Sequence, residues 1–335
     1  MKHLKIGFIL FLLLSTLFGC HKETSSSSKE LIIYSPHPLE FIDMIVSEFE
    51  KDYKIKVSVV FAGTEELLSM IANPLSQTQA DVLWGGALST LLANQPLFES
   101  YMSKNEVYFL DEYKNIEGKF TRFSSVPSVI MVNRNLVNIS SVTGYQDLLK
   151  EEFFGRIAYA NPSVSSSSYE HLINQLYAMG NGNPIAGWPY MKQFVKQLNG
   201  QLLPGSIDVY RGVAEGKYAI GLTFEEAAAR YVNEGAPIEI VYPVEGTIVK
   251  ADGVGIVKGA HNIENAKLFI DFVTSFEIQR FISLQLNRRS IRSDVPVSNQ
   301  LKSLEEIYQI YDDSNWSSSF KYEILEQFEI LFEGN

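Results

Sequence analysis

The sequence predicts an α/β fold built on a mixed, largely parallel sheet. Short apolar runs rich in β-branched residues recur along the chain, as at Leu31-Ile32-Ile33-Tyr34 and Asp81-Val82-Leu83-Trp84. Between such runs lie stretches whose apolar residues repeat at helical spacing. The two kinds of segment alternate, which is the pattern of strands joined by crossover helices. The folded body starts near Leu31 and leaves roughly 300 residues, a length that suggests two domains.

The elements follow in order. After the first strand, Ser35-Pro36-His37-Pro38 breaks the ladder, because proline brings no amide donor. Residues 39–53 place Leu39, Ile42, Ile45, Val46 and Phe49 on one helical face. Residues 55–61 read as the next strand, and Gly63-Thr64 opens a second helix through Leu67, Leu68 and Ile71. Asp81 to Trp84 form a third strand that Gly85-Gly86 should end. Residues 123–132 read as a crossing strand. Residues 156–160 form a strand, followed by Asn161-Pro162, a Ser run and a helix over 169–179. Helices are expected over 209–215 and 225–234, strands over 218–223 and 238–243. Asp252-Gly253-Val254-Gly255-Ile256-Val257 leads back to the first part of the fold, and a helix over 262–274 turns Ala266, Phe269, Ile270 and Val273 inward. The absence of a repeat of 20–50 residues argues against a solenoid.

The first residues read as a targeting segment. Lys2 and Lys5 precede an apolar run over residues 6–14, too short for a bilayer span of roughly 20 residues. Leu17-Phe18-Gly19-Cys20 resembles the bacterial lipobox, which implies cleavage after residue 19 and a lipidated Cys20. Cys20 is the single cysteine, so an intrachain disulfide and a cysteine-based zinc site are both excluded. Residues 20–30, polar and Ser-rich, suit a flexible tether to the outer face of the membrane. The formal net charge of −11 and a pI near 5.1 argue against a nucleic-acid partner. A small anionic ligand stays open, since local amides and dipoles override net charge.

Several segments, in this order, resemble the ferric-ion-binding branch of type II periplasmic-binding proteins, the solute receptors of ABC importers. They are Leu31-Ile32-Ile33-Tyr34-Ser35-Pro36, Ala80-Asp81-Val82-Leu83-Trp84-Gly85-Gly86 and Ser125-Val126-Pro127-Ser128-Val129-Ile130-Met131-Val132-Asn133. Later come Tyr210-Arg211-Gly212-Val213-Ala214-Glu215-Gly216-Lys217-Tyr218-Ala219-Ile220-Gly221-Leu222 and Ala251-Asp252-Gly253-Val254-Gly255-Ile256-Val257. The resemblance implies two lobes joined by two crossing strands, near residues 126–132 and 244–253, with ligand held between them. Lobe 1 would comprise 31–126 plus 254–335, and lobe 2 would comprise 127–253. It also implies a binding protein without cofactor, partnered by an ABC permease or a sensor-kinase extracellular domain.

Ferric-binding members carry two adjacent tyrosines after the strand equivalent to Ala219-Ile220-Gly221-Leu222. This chain has Thr223-Phe224-Glu225-Glu226 there and no adjacent tyrosines anywhere. The departure resembles the relatives that bind hexose phosphates or phosphonates. A sugar phosphate is therefore the expected ligand, with Glu225 accepting hydroxyl hydrogen bonds, or Glu226 if that residue faces inward. Phosphate donors are expected at Gly63-Thr64 and in Ser165-Ser166-Ser167-Ser168, where helix starts offer amides and hydroxyls without Lys or Arg. Ser167 with Glu170 also fits a plain capping box. Ser35 and His37 lie at a strand's carboxyl end, where open α/β sheets bind ligands. Gly85 and Gly86 offer backbone, Ser125 sits beside the first crossing, and Ser206 and Asp208 either cap a helix or touch ligand. Arg288, Arg289 and Arg292 read as a solvated or salt-bridged basic cluster rather than phosphate contacts.

An enzyme fits poorly. No His-Glu-x-x-His, Gly-x-Ser-x-Gly or P-loop occurs, and the five histidines (His3, His21, His37, His171, His261) are scattered. The competing readings are a ferric-ion receptor using carboxylates and a synergistic anion, and an extracellular phosphate-ester hydrolase.

Overall fold

A computed structural model describes residues 29–73, 75 and 79–334. The expected targeting segment and lipidated Cys20 lie outside the described residues. The expected tether ends sooner than 30, because Glu30 already pairs with Lys56 in the sheet.

The chain opens β1 (Glu30–Ser35), α1 (Leu39–Tyr53), β2 (Lys56–Phe61), α2 (Thr64–Ala72), β3 (Val82–Ala87) and α3 (Leu88–Ala93). Helix α1 buries Phe41, Ile42, Ile45, Val46 and Phe49 and stops where Lys54 turns left-handed to return its amide to the Glu50 carbonyl. Leu39, expected on that face, is exposed at the helix start. Then come β4 (Thr121–Asn133), β5 (Ile157–Ala158), α4 (Ser166–Met179), α5 (Trp188–Gln197), α6 (Ser206–Ala214), β6 (Ile220–Phe224), α7 (Glu225–Asn233) and β7 (Ile238–Val241). The chain closes with β8 (Val249–Ile256), α8 (Ile263–Val273), α9 (Phe276–Leu286), β9 (Arg289–Ser290), α10 (Ser314–Ser319) and α11 (Lys321–Glu333).

The strands form one mixed nine-stranded sheet in the order β2-β1-β3-β8-β4-β6-β5, with β7 and β9 also on β4. Three pairings are parallel, β1 with β2 and β3 and β5 with β6. The other five are antiparallel, so the expectation of a largely parallel sheet fails. The reason is local: all strands that meet β4, and β3 where it meets β8, run against their neighbour. Strand β4 spans the junction, pairing through Pro127 with β8 and from Ser128 onward with β6 and β7.

Side chains gather in separate cores on either side of that junction. Ile33, Ile42, Phe49, Trp84, Phe269 and Ile282 share one, while Ile130, Tyr159, Leu172, Phe194 and Ile220 share another. Ile324 and Phe328 of α11 join the second core, whereas α8 and α9 join the first. Within 254–335, α8 and α9 thus pack with one core and α11 with the other.

Two local expectations are corrected. Gly85-Gly86 do not end the third strand but lie inside β3, where the register against β8 shifts between Trp84 and Ala87. Both have positive φ (107° and 96°), and a Cβ on Gly85 would stand 2.7 Å from His37 Nε2. The Ser run is also helical, so α4 starts before residue 169. Its cap is Ser165, which accepts from the Ser168 amide; Ser167 is in the first turn and bonds the Ser165 hydroxyl at 3.0 Å. The Ser167–Glu170 capping box is absent.

Helix α4 is buried on nearly every side, polar residues included. Asn174 satisfies Gly246 O (3.0 Å) and Ile248 N (2.7 Å), pinning the approach to β8. His171 meets the Ser128 hydroxyl at 3.2 Å and the Phe224 ring at 4.8 Å. Burial pushes the His171 imidazole down to about 3. An unfolded histidine titrates near ~6.5, so as pH falls below that the unfolded chain takes up a proton that the native chain refuses. Neutral His171 thus contributes stability that is full above about pH 6.5 and lost progressively toward about 3. His171→Phe should flatten the fall of unfolding free energy with pH by up to about 1.4 kcal/mol per pH unit between roughly pH 6 and pH 4. Urea melts across that range check it; an unchanged slope contradicts the assignment.

Candidate functional site

A cleft of about 460 Å³ opens beside the β4–β8 junction. Three helices point their N-termini at it. Gly63 and Thr64 bring the start of α2, Ser165–Ser167 the start of α4, and Gly205-Ser206 the start of α6. Neither α2 nor α6 has a side-chain cap, so their first-turn amides are not claimed by one. The starts of α2 and α4 touch: Thr64 Oγ1 and Ser166 Oγ are 2.9 Å apart, and the Ala87 amide donates to Ser166 Oγ at 3.4 Å. Amides and hydroxyls converging with the positive ends of helix dipoles favour an anion.

The base of the cleft is a buried ionic network. Arg288 donates through Nη2 to Asp252 Oδ2 (2.6 Å) and through Nε to Ser124 Oγ (2.6 Å). Its Nη1 lies 3.2 Å from Glu226 Oε1, and its guanidinium sits 5.2 and 5.5 Å from the Phe41 and Phe123 rings. Asp252 Oδ1 also accepts from the Ser124 amide (2.8 Å) and hydroxyl (2.7 Å). Burial raises the Asp252 carboxyl, with Arg288 and Ser124 opposing. His37 Nε2 is 3.5 Å from Asp252 Oδ2 and has no hydrogen-bond partner. Burial, and then the Arg288 charge, hold His37 well below its ordinary range and therefore neutral.

Of the residues singled out from sequence, His37, Gly63, Thr64, Gly86, Ser165, Ser166, Ser167, Ser206 and Asp208 line the cleft. Four do not. Ser35 donates to the Trp84 carbonyl at 2.7 Å, Gly85 backs onto His37, and Ser125 accepts from the Tyr113 phenol at 2.9 Å. Glu225 turns away from the cleft: it takes Arg289 Nε (2.7 Å) and Nη2 (2.8 Å) and the Tyr242 hydroxyl. Burial and the Glu225 charge push the Tyr242 phenol up, keeping it a donor. Glu226, one position on, lines the cleft instead. The three arginines are salt-bridged, as expected, but to different partners: Arg289 serves Glu225, Arg292 pairs with Asp294 at 2.7 Å, and Arg288, paired with Asp252, alone of the three reaches the cleft.

Sequence reasoning missed Tyr210, Arg211, Lys250 and Asp252, all of which line the cleft. The cleft lining thus includes Lys and Arg as well as amides and hydroxyls. A usable signal existed for two of them: Lys250 and Asp252 are two apart on a strand and so share a face. Lys250 is otherwise held by Asp312 (2.6 Å) and Ser314 (2.9 Å).

A family model described as bacterial extracellular solute-binding protein matches residues 31–283. The periplasmic binding protein AfuA of Actinobacillus pleuropneumoniae, solved with exogenous fructose-6-phosphate bound, has a TM-score of 0.81 at 25% identity, covering 91% of this chain and 99% of that one. A solved two-component system protein that mediates signal transduction is 32% identical with a TM-score of 0.74, over 85% of this chain and 95% of its own. Iron uptake protein A1 of Synechocystis sp. is 25% identical over 301 residues, 85% of this chain and 82% of the relative.

Because Glu225 neutralises a buried guanidinium, Glu225→Ala should act on the fold. Leaving Arg289 uncompensated should cost about 3–5 kcal/mol of unfolding free energy. Urea denaturation measures this, and a loss below about 1 kcal/mol would refute the pairing as the residue's role.

Proposed function

We propose that this chain, which belongs to the bacterial extracellular solute-binding proteins, captures a sugar phosphate in this cleft for an ABC importer or a membrane sensor kinase. The convergence of three helix N-termini on one cleft carries the reading. Amide and hydroxyl donors suit phosphate oxygens, and Asp208 and Glu226 in the same cleft suit sugar hydroxyls. The fructose-6-phosphate bound to AfuA supports the ligand class. The importer and kinase alternatives follow from the family and from the two-component relative.

In this reading the two cores belong to two lobes that close on solute by hinge motion at β4 and β8. Cys20 carries the lipid that keeps the protein at the membrane. A ferric ion is the weaker ligand, because it needs several free anionic oxygens: the Asp252 and Glu226 carboxylates already face Arg288, which leaves Asp208 as the one cleft carboxylate outside an ion pair among the described residues.

Calorimetry on ligand-stripped protein tests the proposal with glucose 6-phosphate, fructose 6-phosphate, glucose and ferric citrate. A hexose phosphate should bind at micromolar concentration or better, and glucose should not. Thr64→Val should weaken the hexose phosphate about 5- to 150-fold, the cost of losing a donor in a desolvated site, and should lower the melting temperature a little because it also removes the hydrogen bond to Ser166. Heat from ferric citrate with none from any phosphate compound would overturn the proposal.

A further inference from the structure

The cleft does not end at α6. A second chamber of about 280 Å³ continues from it, and Pro38, Phe61, Ile207, Tyr210 and Arg211 line both. Its far wall is Arg230 and Tyr231, with Glu40 and Glu234 also lining it. We infer that this chamber receives a second acidic group of the ligand, so that the preferred solute is a sugar bearing two anionic groups, one in each compartment. The inference rests on the sugar-phosphate reading of the main cleft.

Two guanidiniums face the question of partners here. The ion pairs of Arg122, Arg288, Arg289 and Arg292 are made elsewhere, and among the described residues neither Arg211 nor Arg230 is in an ion pair. Arg230 is held in place all the same. Its guanidinium lies 5.2 Å from the centroids of both the Tyr210 and Tyr231 rings. Its Nε is shut off from water and has no hydrogen-bond acceptor. The rest of the guanidinium is only partly covered, with the Tyr210 hydroxyl and the Glu226 charge as its neighbours, so its outer edge is the part that can meet an incoming oxyanion. A guanidinium oriented beforehand also loses little freedom on meeting a carboxylate or phosphate, whose oxygens match its fork. Glu40 and Glu234 have exposed side chains, which can turn to solvent as an anion enters. They temper the chamber's attraction rather than fill it.

A phosphate or a carboxylate would satisfy the same fork, and titration separates them. Calorimetry compares fructose 6-phosphate with fructose 1,6-bisphosphate and with 6-phosphogluconate on the whole extracytoplasmic chain. The second acidic group should tighten binding about tenfold or more, as charge-assisted hydrogen bonds do. A gain from fructose 1,6-bisphosphate assigns a phosphate to the chamber, and a gain from 6-phosphogluconate assigns a carboxylate. In Arg230→Met the ratio of doubly to singly charged ligand affinity should fall to about twofold or less. Arg211→Gln, at an exposed position, should lower the same ratio without disturbing the aromatic stack, and Glu234→Gln should raise it. If fructose 6-phosphate binds and neither doubly charged ligand binds more tightly, the second chamber is not an anion site and this inference falls while the parent reading stands. If no phosphate compound binds, both fall.

Discussion

Strand β4 is thirteen residues long and buried throughout, and its pairing with β8 decides where a cleft can form. Its first half belongs with β8 and β9 and its second with β6 and β7. The change of partner at Pro127–Ser128 divides the apolar interior into cores that do not merge. Helices from both sides then end at the gap. The cleft is the space left by a strand that cannot be shared by both cores at the same residues.

The gap is lined at its base by charge held in place. Arg288 reaches Asp252, Ser124 and Glu226 in one fan, and the neutral His37 sits beside Asp252. A buried pair of this kind adds little net stability, because desolvation offsets its attraction. Its effect is positional: Arg288, just before β9, is fixed to β8 through Asp252 and to β4 through Ser124. The left-handed glycines in β3 belong to the same arrangement, since side chains there would collide with His37 and Thr64.

Contacts also cross between the cleft walls. Thr64 meets Ser166, Ser89 donates to Glu170, and Lys321 of α11 reaches Glu65 of α2 and Thr90 of α3. Burial raises the Glu170 carboxyl, while Lys250 and the Ser89 hydrogen bond oppose that. Each contact is a hydrogen bond or a partly exposed ion pair, worth little alone. They therefore set how the walls meet without welding them, which suits the proposed solute site.

Much of this was legible in the residues themselves. Periodicity located α1 to its end residues, and the position of Gly63-Thr64 at a helix start followed from local chemistry. The family resemblance came from short segments whose order survives in the chain, and the matched family agrees with it. What sequence could not supply was orientation across long separations. Glu225 and Glu226 are neighbours with the same chemistry, and which one faces the cleft depends on Arg289, sixty-four positions away. Arg288, Arg289 and Arg292 look like one basic patch in sequence, yet each meets a different partner because β9 and its flanks turn them apart. The strand directions were misjudged for the same reason. Alternation of strand and helix reports local propensity, whereas antiparallel pairing of β4 with β8 joins residues more than a hundred positions apart. Local chemistry thus determined the elements and the donors at the helix starts, and only the tertiary structure decided which charges are spent on one another and which remain to meet a ligand.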